Sequence, residues 1–95
     1  MNQSGSMKPS REQREKTEFQ IVEYLFKRNA PARLTDIARE FDLTQNEAQY
    51  YCEELRRKGL INEATLPATM TKYDEGMVYG FDVSADGRKL VMESV

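Results

Sequence analysis

The 95-residue sequence has no histidine, no tryptophan and one cysteine, and none of its apolar runs approaches the roughly 20 residues that cross a bilayer. Each shortage closes a class of function. Without histidine, and with Cys52 alone, a zinc site has almost no ligands to draw on and no internal disulfide can form. A hydrolytic or transfer site needs a nucleophile with its base, a metal cluster or a phosphate-cradling loop. The chain has no Cys-x-x-Cys and no glycine-rich loop, so we expect no enzyme, no cofactor and no metal. The acidic pair Asp74-Glu75 sits at a turn signal, without the framework that would shift a carboxylate pKa. Met1 to Ser6 carry neither a basic flank nor an apolar stretch, and the expectation is a soluble, cytoplasmic protein with no membrane partner.

What is present fits one ordinary domain with too little left for a second core. Residues 1–10 (MNQSGSMKPS) show no apolar periodicity and read as a flexible tail, leaving 11–95 as the domain. The formal net charge is −2, which argues against indiscriminate nucleic-acid binding, because that affinity comes mainly from neutralised phosphates. Its distribution is uneven. Residues 1–28 hold six Lys/Arg against four Asp/Glu, 29–61 five against six, and 62–95 three against six.

Ser10 to Arg28 reads as a helix: Phe19, Val22, Leu25 and Phe26, with Ile21 beside them, form one apolar stripe. Its first half, Arg11 to Glu18, is polar and open to several readings: a solvated extension, a partner-facing arm, or a frayed end. The helix must stop before Pro31. In Leu34 to Ile61, Thr35 is the expected N-cap of a short helix with Ile37, Ala38 and Phe41 inward, and Asp42-Leu43 is a turn. Thr44 with Glu47 matches a capping box and starts a third helix. Its inward face is Ala48, Tyr51, Cys52 and Leu55, and Gly59 is the left-handed stop. The period then changes to two. Met77, Tyr79, Phe81 and Val83 alternate with Val78, Gly80 and Asp82 as in a half-buried strand, and Asp74-Glu75-Gly76 marks a turn after a partner strand at Ala68 to Tyr73. Pro67 interrupts the stretch joining this hairpin to the third helix. Ser84 caps a last short helix carrying Leu90 and Val91. The fold expected is mainly α with a small β-hairpin, in the order α-α-α-β-β-α. Its expected core is Phe19, Val22, Leu25, Phe26, Ile37, Ala38, Phe41, Ala48, Cys52, Leu55, Leu60, Tyr79, Phe81 and Leu90.

The run LTDIAREFDLTQNEAQYYCEELRRKGLI resembles the winged helix-turn-helix domain of small prokaryotic regulators, MarR-like proteins among them. There, an "LT-x-x-I/L-A" helix precedes a longer recognition helix ending in "L-x-x-x-G-L-I". FDVSADGRKLV is similar to the ending "Y-x-L-T-x-x-G-x-x-L", where the second wing strand passes into the last helix. The resemblance covers about residues 19–95. It implies sequence-specific binding of double-stranded DNA by a transcriptional regulator, with the helix Thr44 to Lys58 in the major groove. On the face opposite its apolar stripe stand Gln45, Asn46, Gln49, Tyr50 and Glu53. Gln and Asn pair bidentately with adenine and Glu accepts from cytosine, although a merely solvated face would look the same. Arg33, Thr35, Arg39, Thr44, Arg56, Arg57 and Lys58 flank the helix as candidate phosphate contacts, and Lys72, Thr69, Thr71 and Tyr73 lie on the wing. The wing tip is acidic where relatives that enter the minor groove carry Arg or Lys. The competing reading is therefore a winged-helix protein-interaction adaptor or anti-regulator that binds a protein partner without touching DNA.

Three further residue groups have plain structural readings. Cys52 reads as a small core residue rather than a redox sensor. Of the adjacent tyrosines, Tyr51 points inward and Tyr50 outward. Met70 and Met77 read as gap-fillers rather than an effector pocket. A homodimer built from Arg11–Arg28 and Ala85–Val95 is expected, because two-fold sites on DNA are commonly matched by two-fold proteins.

Overall fold

The computed structural model describes residues 10–67 and 77–94. Its elements are α1 (Arg11–Arg28), β1 (Ala32–Arg33), α2 (Leu34–Glu40), α3 (Gln45–Arg57), β2 (Ile61–Pro67), β3 (Met77–Val83) and α4 (Ala85–Glu93). This is the winged-helix α+β architecture: four helices with a small antiparallel sheet in the order β1-β3-β2.

Local chemistry sets the boundaries. Ser10 caps α1 by accepting from the Gln13 amide, while the Gln13 side chain accepts from the Ser10 amide. Asn29, in the left-handed region at φ 53°, ends the helix two residues before Pro31. Between α2 and α3 the chain turns through Asp42, also left-handed at φ 55°. The Leu43 amide reaches back to the Ala38 carbonyl at 2.8 Å and the Asp42 amide to the Arg39 carbonyl, so the free carbonyls of α2 are satisfied within the turn. The end of α3 repeats the same motif around Gly59 at φ 80°: Leu60 donates to the Leu55 carbonyl and Gly59 to the Arg56 carbonyl, both at 3.0 Å. Thr44 and Glu47 form the expected reciprocal cap, with Thr44 N to Glu47 Oε1 at 2.9 Å and Glu47 N to Thr44 Oγ1 at 3.1 Å.

Several expectations are corrected. The N-cap of α2 is Arg33, whose amide donates to Asp36 Oδ2 at 3.1 Å, and Thr35 lies one residue inside the helix. An additional strand, β1, puts Ala32 opposite Phe81 and Arg33 opposite Gly80. The partner of β3 is Ile61–Pro67, directly after α3, with Ile61 opposite Val83 and Pro67 opposite Met77. Pro67 thus closes a strand instead of interrupting a connection. The expected strand Ala68 to Tyr73 and the turn Asp74-Glu75-Gly76 lie outside the described residues, as do residues 1–9 of the expected tail.

The core gathers Ile21, Val22 and Leu25 of α1, Ile37 of α2, Tyr51, Cys52 and Leu55 of α3, Ala32, Ile61 and Val83 of the sheet, and Val91 of α4. Ala38 and Ala48 are buried as expected. Phe19, Phe26, Phe41, Leu60 and Phe81 are only half-buried against this cluster, and Leu90 is half-buried where Val91 is buried. The stripe of α1 is centred on Ile21, because α1 packs against both α3 and α4 and its buried arc must serve two neighbours. The Tyr79 side chain lies outside the described residues. Ser84 locks the end of the sheet to α4: its hydroxyl donates to the Gly59 carbonyl at 2.6 Å and accepts from the Gly87 amide at 3.0 Å. A Cβ at Gly87 would collide with the Leu60 carbonyl and the Val83 side chain, so only glycine allows α4 this approach.

Candidate nucleic-acid interface

Helices α2 and α3, joined by the Asp42 turn, make a helix-turn-helix whose second member buries Ala48, Tyr51, Cys52 and Leu55. This fixes which side of α3 is free. Gln45, Asn46, Gln49, Tyr50 and Glu53 are all exposed. Within the set, Gln49 Nε2 donates to Glu53 Oε2 at 3.1 Å, one turn along the helix, so the carboxamide is already oriented along the exposed face. Tyr50 stands apart. Its ring meets Tyr51 edge-on with centroids 5.6 Å apart, and it lines a polar groove of about 170 Å³ shared with Arg11, Arg14, Glu15 and Glu18 of α1 and with Glu54 and Lys58 of α3.

The basic residues differ in what already holds them. Arg33 is half-buried, with its guanidinium 3.4 Å from Asp36. Burial alone would raise the Asp36 carboxyl, but the hydrogen bonds from the Arg33 amide and guanidinium outweigh it and hold the group below its ordinary value. Arg56 lies 3.9 Å from Glu63, and Arg57 pairs with Glu54 one turn back. Lys58 Nζ sits 2.7 Å from Glu18, which is buried on α1. Thr44 has its hydroxyl committed to the cap of α3. Arg39, on the exposed side of the last turn of α2, makes no ion pair among the described residues, and Thr35 is exposed in the first turn of the same helix. Lys72, Thr69, Thr71 and Tyr73 lie outside the described residues.

Magnitudes sort these pairs. An exposed ion pair contributes about 0–1 kcal/mol, so the exposed guanidinium groups of Arg56 and Arg57 can exchange a carboxylate for a phosphate at little cost. Lys58 faces a buried carboxylate and is tied into the structure. Burial pushes the Cys52 thiol up to about 12, which leaves it protonated and unreactive at neutral pH. No described helix is long and apolar enough to cross a membrane.

The FaeA-like protein family profile matches residues 17–73, more than half of the chain, from within α1 to beyond β2. The chain belongs to the FaeA-like protein family. Among solved structures, MepR, a transcription regulator of the Staphylococcus aureus multidrug efflux pump MepA, is 20% identical with a TM-score of 0.66 over 81% of this chain and 52% of that one. The transcriptional regulator BldR from Sulfolobus solfataricus is 16% identical with a TM-score of 0.63 over 83% and 51%. The adhesin competence repressor AdcR from Streptococcus pyogenes is 17% identical with a TM-score of 0.60 over 81% and 52%. The FaeA-like chain thus shares its winged-helix fold with these proteins while spanning about half the length of each. No curated protein sequence matches it.

Proposed function

We propose that this FaeA-like chain binds double-stranded DNA in a sequence-specific way and regulates transcription, without catalysing a reaction. The observation that carries the reading is the exposed polar face of α3, held outward by a buried stripe and by a helix-turn-helix. Gln45, Asn46, Gln49 and Glu53 offer the donors and acceptors that base edges in a major groove require. Arg39, Arg56 and Arg57, with Thr35 at the start of α2, are the phosphate contacts that position it. The FaeA-like match across the helix-turn-helix and the regulators that share the fold support the same reading. The working form of this proposal is a cytoplasmic homodimer using the outward faces of α1 and α4, where Met92 is 59% exposed. One third helix per protomer then meets successive major-groove turns about 34 Å apart.

Amide chemical-shift mapping on addition of a short mixed-sequence duplex tests this. Shifts concentrated at the first half of α3 and the start of α2 are expected. Shifts confined to α4 or to the far side of α1 would overturn the reading.

A further inference from the structure

The first half of α1 is the part of the sequence that the helix-turn-helix leaves without a task. It is well-formed helix from Arg11 onward, and it forms one wall of the groove whose other wall is Tyr50, Glu54 and Lys58 of α3. The charges in that groove are not equivalent. Arg11 pairs with Glu15 at 3.3 Å, Lys58 with Glu18 at 2.7 Å, and Glu54 with Arg57. Every carboxylate lining the groove therefore has a cation beside it, and Arg14 is the lining cation that makes no ion pair among the described residues. Its neighbour across the groove, Tyr50, is 47% exposed, and no hydrogen bond from its hydroxyl is made among the described residues. Arg14 and Tyr50 thus offer a guanidinium and a phenolic O–H, both donors, at the border of the exposed face of α3.

We propose that Arg14 and Tyr50 together hold one backbone phosphate of the same duplex that α3 enters, which extends the DNA interface from the helix-turn-helix onto α1. The inference rests on the DNA reading above and makes it more specific. A guanidinium fork and a hydroxyl are the donors that phosphate oxygens accept from. A duplex lying along α3 carries phosphates on both sides of the groove that the helix occupies. Arg39 is exposed on α2, and the α1–α3 groove shares Tyr50 with the exposed face of α3. Tyr50 then contributes anchoring rather than base reading, which separates it from Gln45, Asn46 and Gln49. The mild basic excess of residues 1–28 and the polar first half of the helix were the traces of this in the sequence, because nothing in the spacing says that Arg14 and a residue 36 positions later share a groove.

The test is a salt titration of binding by the full chain to a mixed-sequence duplex and to a duplex enriched by selection. It compares the native protein with Arg14→Ala, Arg14→Lys, Tyr50→Phe and Arg39→Ala on α2. Arg14→Ala should weaken both duplexes alike, by about threefold to tenfold, and lower the slope of log affinity against log salt by about 0.9, the value of one phosphate. Arg14→Lys should keep the slope, and Tyr50→Phe should lose affinity without changing base preference. If Arg14→Ala binds with native affinity and slope while Arg39→Ala does not, the α1 contact is wrong and the DNA reading stands. If Tyr50→Phe changes the preferred bases, Tyr50 reads sequence and the shared phosphate site is wrong. If the native chain binds neither duplex, the DNA reading fails and takes this site with it. Thermal melts of each variant near the native midpoint exclude unfolding as the cause.

Discussion

Lys58 Nζ lies 2.7 Å from the carboxylate of Glu18, and this pair, 40 residues apart in sequence, fastens the end of α3 to the first half of α1. The Glu18 side chain is 11% exposed, whereas the Lys58 side chain is 46% exposed. The carboxylate therefore depends on its partner more than the ammonium does. Lys58→Met should cost about 1–2 kcal/mol in urea unfolding, chiefly by leaving a buried carboxylate unpaired. Adding Glu18→Gln to it should recover part of the loss. Additive losses in the double variant would contradict the pairing.

Asp36 gives the fold a dependence on acid. Its carboxyl is held below the ordinary carboxylate value because the hydrogen bonds from the Arg33 amide and guanidinium outweigh the opposing effect of burial. The unfolded chain binds the proton more readily, so this contribution is complete above about pH 4 and is lost as pH falls through the folded-state value. Asp36→Asn should be less stable than the native protein at neutral pH, and the gap should close below about pH 4. Unfolding midpoints measured from neutral to acid pH check this. A constant gap would remove Asp36 from the acid response.

How much of this was visible in the sequence follows the range of each interaction. The caps at Thr44-Glu47 and Ser84, and the stop at Gly59, are set by neighbours three or four residues away and could be read directly. Asp42 was located as a turn, although its left-handed backbone has no glycine to announce it. The start of the wing was misplaced because β2 lies at the edge of the sheet, where Asn62, Glu63 and Thr65 are exposed and Ala64 and Leu66 only half-buried. Such a strand has too little apolar alternation to show its period, and a proline is tolerated on an edge strand. β1 is two residues long and has no period at all. For the site, the apolar stripe of α3 settled which residues face outward. The sequence could not show that Arg56 and Lys58 face carboxylates on other elements, or that Tyr50 shares a groove with α1.

Gly87 governs the docking of α4. Gly87→Ala would drive a methyl group into the Leu60 carbonyl and the Val83 side chain, and relief requires α4 to move off the end of the sheet. Overpacking of this kind costs about 1–3 kcal/mol. The thermal midpoint should fall accordingly, with the loss concentrated in hydrogen-exchange protection of α4 and of α1, which packs against it. A variant as stable as the native protein would contradict the close approach.

Cys52 is fully buried on α3 with its thiol pushed up to about 12 by burial. A neutral-pH thiol reagent should label the native protein slowly and the urea-unfolded protein fast. Rapid native labelling would mean that α3 leaves the core readily.

The central claim is that α3 reads base sequence, and selection of bound duplexes from a random-sequence pool at fixed salt tests it most directly. The native protein should enrich a motif. Gln49→Ala should lose about 1–3 kcal/mol on that motif and relax the preference at one position. Arg39→Ala should weaken all sequences alike and lower the salt slope by about 0.9. Failure to enrich any motif, with weak low-salt binding unchanged in Arg39→Ala, would contradict the account and leave the protein-binding adaptor in its place.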